Sequence, residues 1–349
     1  MTLLATLTDR PASQQLRTVF RAGSLVDLLV VRVLLWACGV GAFCVFCLLF
    51  LFGIGDLVFF TLVQILHIHN QLTGVSCQFR PRKLMASCCP PGSLPPLSAL
   101  SPGEAPARGS EQSLGGLTVY STGGSGSSPS KERCVIVATD IWGFRAGRHR
   151  QVCDILAESL DCVVYMPDFF HGDACTPDKG PGTSGFAAWA EKWTQRKVGA
   201  DLDALTATIS PTCKIGIVGF CWGTFAAVLS ASGSTKRACD AACLVHPSHR
   251  KIMETVHGMA PEDVGEYYIG GIRAPTLCLT AGNDDPRCKP GGADEVLIRE
   301  ACPADPKFEE FSGMAHGWVI KGDLADPEVA QAVPKAVASV SGWLDEHLG

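Results

Sequence analysis

Apolar positions along the chain fall into three regimes. From residue 33 to residue 55 the chain reads Val-Leu-Leu-Trp-Ala-Cys-Gly-Val-Gly-Ala-Phe-Cys-Val-Phe-Cys-Leu-Leu-Phe-Leu-Phe-Gly-Ile-Gly with no charge. That length suits a helix crossing about 30 Å of hydrocarbon, and the run starts too late and is too long for a simple signal peptide. The expectation is one transmembrane helix at 33–55, inside a hydrophobic N-terminal extension spanning 1–84. A second apolar run, 57–68, holds Gln64 and His67 and reads as interfacial. Arg10, Arg17, Arg21 and Arg32 precede these runs and Arg80, Arg82 and Lys83 follow them, so orientation stays open. Met85 opens Met-Ala-Ser-Cys-Cys-Pro-Pro-Gly-Ser, which has the look of a natural start. Two locations follow: membrane-anchored through residues 33–55 if 1–84 are present, cytoplasmic if translation starts at Met85.

The second regime, 86 to 130, is rich in Pro, Gly and Ser and has no sustained apolar period. It predicts an extended arm, 85–114, that builds no core of its own. Leu117-Thr-Val-Tyr120 predicts a short edge strand. The third regime begins at Cys134, where short β-branched runs alternate with helical periods. Strands are predicted at Cys134–Thr139, Cys162–Met166, Ile215–Gly219, Ala241–Val245, Thr276–Thr280 and Lys307–Phe311. Val152, Ile155, Leu156 and Leu160 mark one helix face. Phe186, Trp189, Trp193, Val198, Leu202 and Leu205 run through one long or two short helices. Val329, Val333, Val337, Val340 and Leu344 mark a closing helix. Strand–helix alternation predicts an α/β domain over 115–349, with a mostly parallel sheet covered on both faces.

Charge and composition change this picture little. Net charge is −5 and the isoelectric point is near 6.0, which excludes a nucleic-acid surface as a leading idea. Hydrophobic residues make up 47% of the chain, with the excess mostly in the first seventy positions. The 17 cysteines are irregularly spaced and have no His partners at zinc spacing, so they read as free, buried thiols in a reducing compartment. No role is assigned to the adjacent Cys88 and Cys89.

The chemistry sits at the strand ends, where ligands of parallel sheets bind. Lys214-Ile-Gly-Ile-Val-Gly-Phe-Cys-Trp-Gly-Thr224 is strand, sharp turn and helix with Cys221 at the apex. It is the nucleophile elbow Gly-x-Ser-x-Gly with sulfur in place of oxygen. Past the strand at 276–280 lies Ala281-Gly-Asn-Asp-Asp-Pro286, and past Phe311 lies Ser312-Gly-Met-Ala-His-Gly-Trp318. Nucleophile, acid, His is the chain order of α/β-hydrolases. A thiolate attacks, His316 moves the proton, and a carboxylate holds the imidazole tautomer. Asp284 and Asp285 both compete for that last place, and the Gly-x-x-Asp spacing from Gly282 favours Asp285. The amide of Trp222, at a helix N-terminus, and that of Ile141, in the loop Asp140-Ile-Trp-Gly-Phe144, are the candidate oxyanion donors. His246 and His171 also follow strands and read as pocket-lining or pocket-edge residues. The aromatic stretch from Phe169 to Trp193 reads as a pocket wall that accepts an apolar acyl group.

At these residues the chain resembles the dienelactone hydrolase family of the α/β-hydrolase superfamily, in its eukaryotic form. The match rests on Thr139-Asp-Ile-Trp-Gly143, Pro167-Asp-Phe-Phe170, Gly219-Phe-Cys-Trp-Gly223 and Ala315-His-Gly-Trp318, and covers roughly 115 to 349. Residues 1–84 have no counterpart in it. The resemblance implies the α/β-hydrolase fold and a Cys-His-Asp triad, carried here to Cys221, His316 and Asp285. It implies hydrolysis of an enol-lactone or small carboxylic ester, as a carboxymethylenebutenolidase performs, with no metal and no cofactor. The family prototype places a Glu before the oxyanion Ile, paired with the resting Cys and with an Arg beyond the His. Here Asp140 stands in the Glu position. Lys321 misses the Arg spacing, so it is given no role. Arg145 and Arg148 are considered as stand-ins for the residues that bind a substrate carboxylate, and solvated loop charges are the simpler reading. Two other functions compete: a non-catalytic, membrane-tethered scaffold or ligand carrier, and thioesterase or peptidase chemistry on the same triad.

Overall fold

The computed structural model describes residues 87–97, 100–101, 103–124 and 132–349. The chain divides into two units, Met1–Arg82 and Lys83–Gly349, and every described residue belongs to the second. The apolar runs 33–55 and 57–68, and the location inferred from them, lie outside the described residues.

Eight strands form one sheet: β1 (Ser110–Leu114), β2 (Leu117–Thr122), β3 (Arg133–Ala138), β4 (Val163–Pro167), β5 (Lys214–Phe220), β6 (Ala241–Val245), β7 (Thr276–Ala281) and β8 (Lys307–Phe311). Their order across the sheet is β1-β2-β4-β3-β5-β6-β7-β8. β1 and β2 pair antiparallel, β2 runs antiparallel to β4, and β4 through β8 are parallel. The order reverses at β3, so the crevice between β3 and β5 is where a ligand site belongs. Asp140 follows β3 and Cys221 follows β5.

Alternation along β5 shows how the sheet is covered. Ile215 and Ile217 point to a core shared with α3 (Gln195–Thr206) and α4 (Gly223–Ala231). Val218 and Phe220 point to the opposite core, shared with α1 (His149–Leu160) and the closing helix α7 (Pro327–Leu348). On α7, Val333, Val337, Val340 and Leu344 of the predicted stripe are buried, and Val329 is half-buried. The aromatic helical run resolves into two helices, α2 (Phe186–Ala190) and α3. The break falls at Thr194, whose hydroxyl caps α3 by accepting the Lys197 amide at 3.3 Å.

Three expectations are corrected. Among the described residues no helix is long and apolar enough to cross a membrane, against the transmembrane expectation, whose run at 33–55 lies outside them. The 22-residue α7 has the length, but Glu328, Lys335, Asp345 and Glu346 make it amphipathic. Leu117–Tyr120 does not form the sheet edge, because the polar β1 covers it; a short, charged outer strand suits an edge that must not recruit other strands. The sheet therefore begins ahead of the boundary expected at 115, and the arm docks on the domain. There Cys88 is buried, the Leu94 amide donates to the His316 carbonyl at 3.0 Å, and the Arg108 amide donates to Asp154 at 2.7 Å.

Candidate active site

Cys221 sits at φ +52°, the left-handed backbone that an elbow requires. The two flanking glycines explain how the chain tolerates it. A Cβ on Gly219 would lie 2.4 Å from the Gly223 carbonyl oxygen, and one on Gly223 would lie 2.1 Å from the Ala138 carbonyl oxygen. Only hydrogen fits either place. The Cys221 amide donates to Val245 at 3.1 Å, and its carbonyl accepts the Thr224 hydroxyl at 2.6 Å, so strand and helix both clamp the turn. The N-terminus of α4 follows at once and favours negative charge at the sulfur.

His316 follows β8 and α6 (Trp318–Lys321) follows it. Its Nδ1 is 2.5 Å from Asp284 Oδ1, and its amide donates to Asn283 Oδ1 at 2.7 Å. The acid on His316 is therefore Asp284, not the expected Asp285. The turn after β7 decides this. The Asp284 amide donates back to the Ala281 carbonyl at 3.1 Å, and the Ala281 amide donates to Asp284 Oδ2 at 2.7 Å. This tight loop folds Asp284 beneath the strand end. Asp285, just before Pro286, instead caps the next turn through the Arg287 amide at 3.0 Å. It also pairs with the Arg287 guanidinium at 2.7 Å, which in turn reaches Glu254. Burial works to raise the Asp285 carboxyl, and Arg287 more than offsets it.

Cys221 and His316 are both fully buried. Ser248 Oγ lies 3.4 Å from Cys221 Sγ and 3.5 Å from His316 Nε2. Cys89 Sγ lies 3.5 Å from Cys221 Sγ and 3.2 Å from Cys88 Sγ. Burial works to raise the Cys221 thiol. Hydrogen bonds from Cys88 and Cys89 and the charge on His316 outweigh it, and the thiol falls well below its ordinary range. For His316 burial works to lower the imidazole, and the Cys221 charge and the Asp284 hydrogen bond carry it well above its ordinary value. The two directions together favour negative charge on Cys221 and positive charge on His316.

The loop after β3 adds a second charged pair. Asp140 is buried, and its Oδ1 accepts the Trp142 amide at 3.0 Å. Lys321 Nζ lies 3.4 Å from Asp140 Oδ2, an ion pair without a well-aligned hydrogen bond. Sequence spacing gave Lys321 no role, yet the helical turn of α6 brings it back to Asp140. Gly317, at φ +94°, makes room: a Cβ there would meet Lys321 Cε at 2.4 Å. Burial works to lower the Lys321 ammonium, but Asp140 and Cys221 hold it above its ordinary value. His149 is neutral beside them. Its Nδ1 donates to the Ala146 carbonyl at 2.7 Å, its Nε2 accepts the Asp140 amide at 3.3 Å, and burial lowers it.

The remaining expected residues divide. Ile141 and Trp222 are buried at the ends of β3 and β5. Phe170 packs against Trp222 with ring centroids 4.6 Å apart, and Trp189 and Trp193 pack on Phe170, so the aromatic stretch does adjoin the elbow. His246 stacks edge-on to His316 at 5.1 Å, and burial keeps it neutral. His171 pairs with Asp201 at 2.9 Å instead of joining the group. Arg145 pairs with Glu111 at 2.6 Å. Arg148 is buried against Glu104 at 2.7 Å and the Gly322 carbonyl at 2.6 Å, so it ties the arm down and is no solvated loop charge. Both guanidiniums are committed within the fold.

A mostly parallel sheet with this strand order, an elbow after β5, and acid and His after β7 and β8 define an α/β-hydrolase. Residues 121–348 match the model of the dienelactone hydrolase family, and the chain belongs to that family. The carboxymethylenebutenolidase homolog of Mus musculus is 28% identical over 224 residues, covering 62% of this chain and 83% of that protein. Hydrolase tropI of Talaromyces stipitatus is 27% identical over 232 residues, covering 63% and 83%. A solved structure described as a dienelactone hydrolase, from Klebsiella pneumoniae, superposes with a TM-score of 0.52 at 17% identity. It covers 68% of this chain and 97% of that one, which is a likeness of fold. Membership places the chain among hydrolases of esters and lactones.

Proposed function

We propose that the chain is a thiol hydrolase that opens a lactone or small carboxylic ester through an acyl-thioester on Cys221, as carboxymethylenebutenolidases do. The observation that carries this is the strained, buried Cys221 beside an imidazole whose far nitrogen is held by Asp284 at 2.5 Å. In the first half-reaction the Cys221 thiolate attacks the carbonyl carbon. The oxyanion is taken by the amides of Ile141 and Trp222, the second strengthened by the α4 N-terminus. His316 gives its proton to the departing alkoxide. In the second half-reaction His316 takes a proton from water, the hydroxide attacks the thioester, and the thiolate leaves. Asp284 holds the imidazole tautomer and offsets its charge throughout. Asp140 and Lys321 supply a buried ion pair next to the thiol, where the family prototype uses Glu and Arg.

The test is a panel of activated esters and enol-lactones assayed with the wild type and with Cys221→Ala and Cys153→Ala. Turnover that survives in Cys153→Ala and vanishes in Cys221→Ala is expected. Equal turnover in wild type and Cys221→Ala would sink the assignment.

A further inference from the structure

We propose that Cys88, Cys89 and Cys221 together form an inhibitory site for one thiophilic d10 cation of the zinc type, which fastens the N-terminal arm over the nucleophile. The three sulfurs, each offering one ligand atom, lie within 4.8 Å of one another. Neighbouring separations are 3.2 Å and 3.5 Å. Sulfurs sharing one zinc-type ion, at about 2.3 Å each, stand about 3.8 Å apart in a tetrahedral set. These two separations therefore need to open by only a fraction of an ångström, and the third already lies within 4.8 Å. Soft thiolates in a closed, buried site select such ions over hard cations.

The surroundings fit the same chemistry. His316 borders the group through Ser248, whose Oγ lies 3.5 Å from His316 Nε2 and 3.4 Å from Cys221 Sγ. Its Nδ1 is held by a carboxylate, the arrangement that orients metal-binding imidazoles. The arm is pre-docked, since Leu94 bonds the His316 carbonyl at 3.0 Å and Asn283 Nδ2 donates to Pro91 at 2.9 Å, so little chain entropy is lost on binding. The other thiol–imidazole–carboxylate group, Cys288, His249 and Asp294, is a poor competitor because the Arg250 guanidinium already sits on Asp294. Coordination forms metal–sulfur bonds, releases the proton of each thiol that binds to solvent, and moves no electron. The ion takes no part in turnover; it blocks it.

The test uses the full, reduced chain. Cd2+ is titrated as a spectroscopic probe, read by its ultraviolet thiolate-to-metal charge-transfer band. About one tight equivalent is expected, and Cys88→Ser, Cys89→Ser and the double variant should each weaken it by at least about 100-fold. Zn2+ inhibition of ester hydrolysis, measured against each variant's own zinc-free rate and reversed by a chelator, should weaken in parallel. Half-buried Cys89 is the variant to trust if replacement of Cys88 lowers the melting temperature. Undiminished Cd2+ affinity in Cys89→Ser would overturn the proposal, since Cys89 would then be no ligand and the three-sulfur site would not exist. The inhibition arm rests on the hydrolase reading. The Cd2+ arm needs no turnover, so a chain that binds the ion and cleaves no ester would break that reading and leave the metal site standing.

Discussion

Two buried groups in this protein contain the same three residue types and are wired in opposite ways. In the first, the carboxylate of Asp284 holds Nδ1 of His316, which leaves Nε2 to face Ser248, itself 3.4 Å from Cys221 Sγ. In the second, Asp294 holds Nε2 of His249 at 3.0 Å, accepts from the Cys288 thiol at 3.2 Å, and pairs with Arg250. There the carboxylate occupies the imidazole nitrogen that the thiol would need, and Cys288 is 3.9 Å from it. Burial and the Asp294 charge push the Cys288 thiol well above its ordinary range, whereas Cys221 falls well below it. Cys221 stands on a strained elbow; Cys288 ends a short helical turn. Residue identity is therefore insufficient for nucleophilic chemistry. The order in which the groups are hydrogen-bonded decides whether a Cys, a His and an Asp form a reactive site or a structural knot.

The largest effect should separate the two cysteines. Cys221→Ala is expected to lower kcat/KM on an activated ester by at least about 10³-fold, while Cys288→Ala stays within about threefold. Thermal melts of both variants check that the fold is kept. The same contrast appears without turnover: iodoacetamide at neutral pH should label Cys221 and spare Cys288, because only the thiolate reacts. Comparable labelling of both would erase the distinction.

Next in size is the carboxylate. Asp284→Asn should cost about 10²–10⁴ in kcat, since the imidazole loses its tautomer and its counter-charge. Asp285→Asn should change kcat little and act on stability through Arg287. An inverted pair of results would restore the assignment by spacing. This choice marks where sequence reading stopped. Strands β6 and β8 were legible to the residue, because apolar runs bounded by turn residues have few other readings. The elbow was legible because its five-residue pattern keeps the two glycines that the turn requires, Gly219 against the Gly223 carbonyl and Gly223 against the end of the neighbouring strand at Ala138. Asp284 was not, because a turn amide and a strand-end amide, not spacing, fold it toward His316. Lys321 depended on where a short helix begins. Cys89 meets Cys221 across 132 residues of sequence, and a contact at that distance leaves no local pattern. The polar Ser110–Leu114 lacks the alternation that announces a strand, so the edge of the sheet was misplaced by one.

A third test probes the structural group. Asp294→Asn leaves Arg250 buried without its anion, and should destabilise the fold by about 3 kcal/mol, roughly a hundredfold in the folding equilibrium, with kcat retained. Burial works to raise the Asp294 carboxyl, but His249 and Arg250 hold it below its ordinary value. A depressed carboxyl contributes stability that is complete above the unfolded value, about 3.9, and is lost as pH falls through the folded one. The gap between wild type and Asp294→Asn should therefore be full at pH 7 and narrow below about pH 4. Denaturant midpoints across that range measure it. A gap that widens in acid would mean Asp294 is not the depressed group.

The smallest expected effect concerns how the thiol at the elbow is tuned. Lys321 is buried, charged and within the field of both Asp140 and Cys221. The second group offers its thiol no such help, because Arg250 is spent on Asp294. Lys321→Met removes a positive charge near the sulfur, so the Cys221 thiol should move up, by about one pH unit for an interaction of about 1.4 kcal/mol. The thiolate fraction at a pH below the wild-type value then drops about tenfold, and the rate of iodoacetamide capture with it. Loss of the cation also strands Asp140, which lowers stability. The double variant Asp140→Asn/Lys321→Met removes that stranded charge and should recover the melting temperature. The two readouts separate the roles of the pair. A capture profile unmoved by Lys321→Met, with stability lost and then recovered in the double variant, would make Lys321 and Asp140 a structural ion pair like that of Arg250 and Asp294. The difference between the two groups would then rest on the backbone elbow and the wiring of His316 alone.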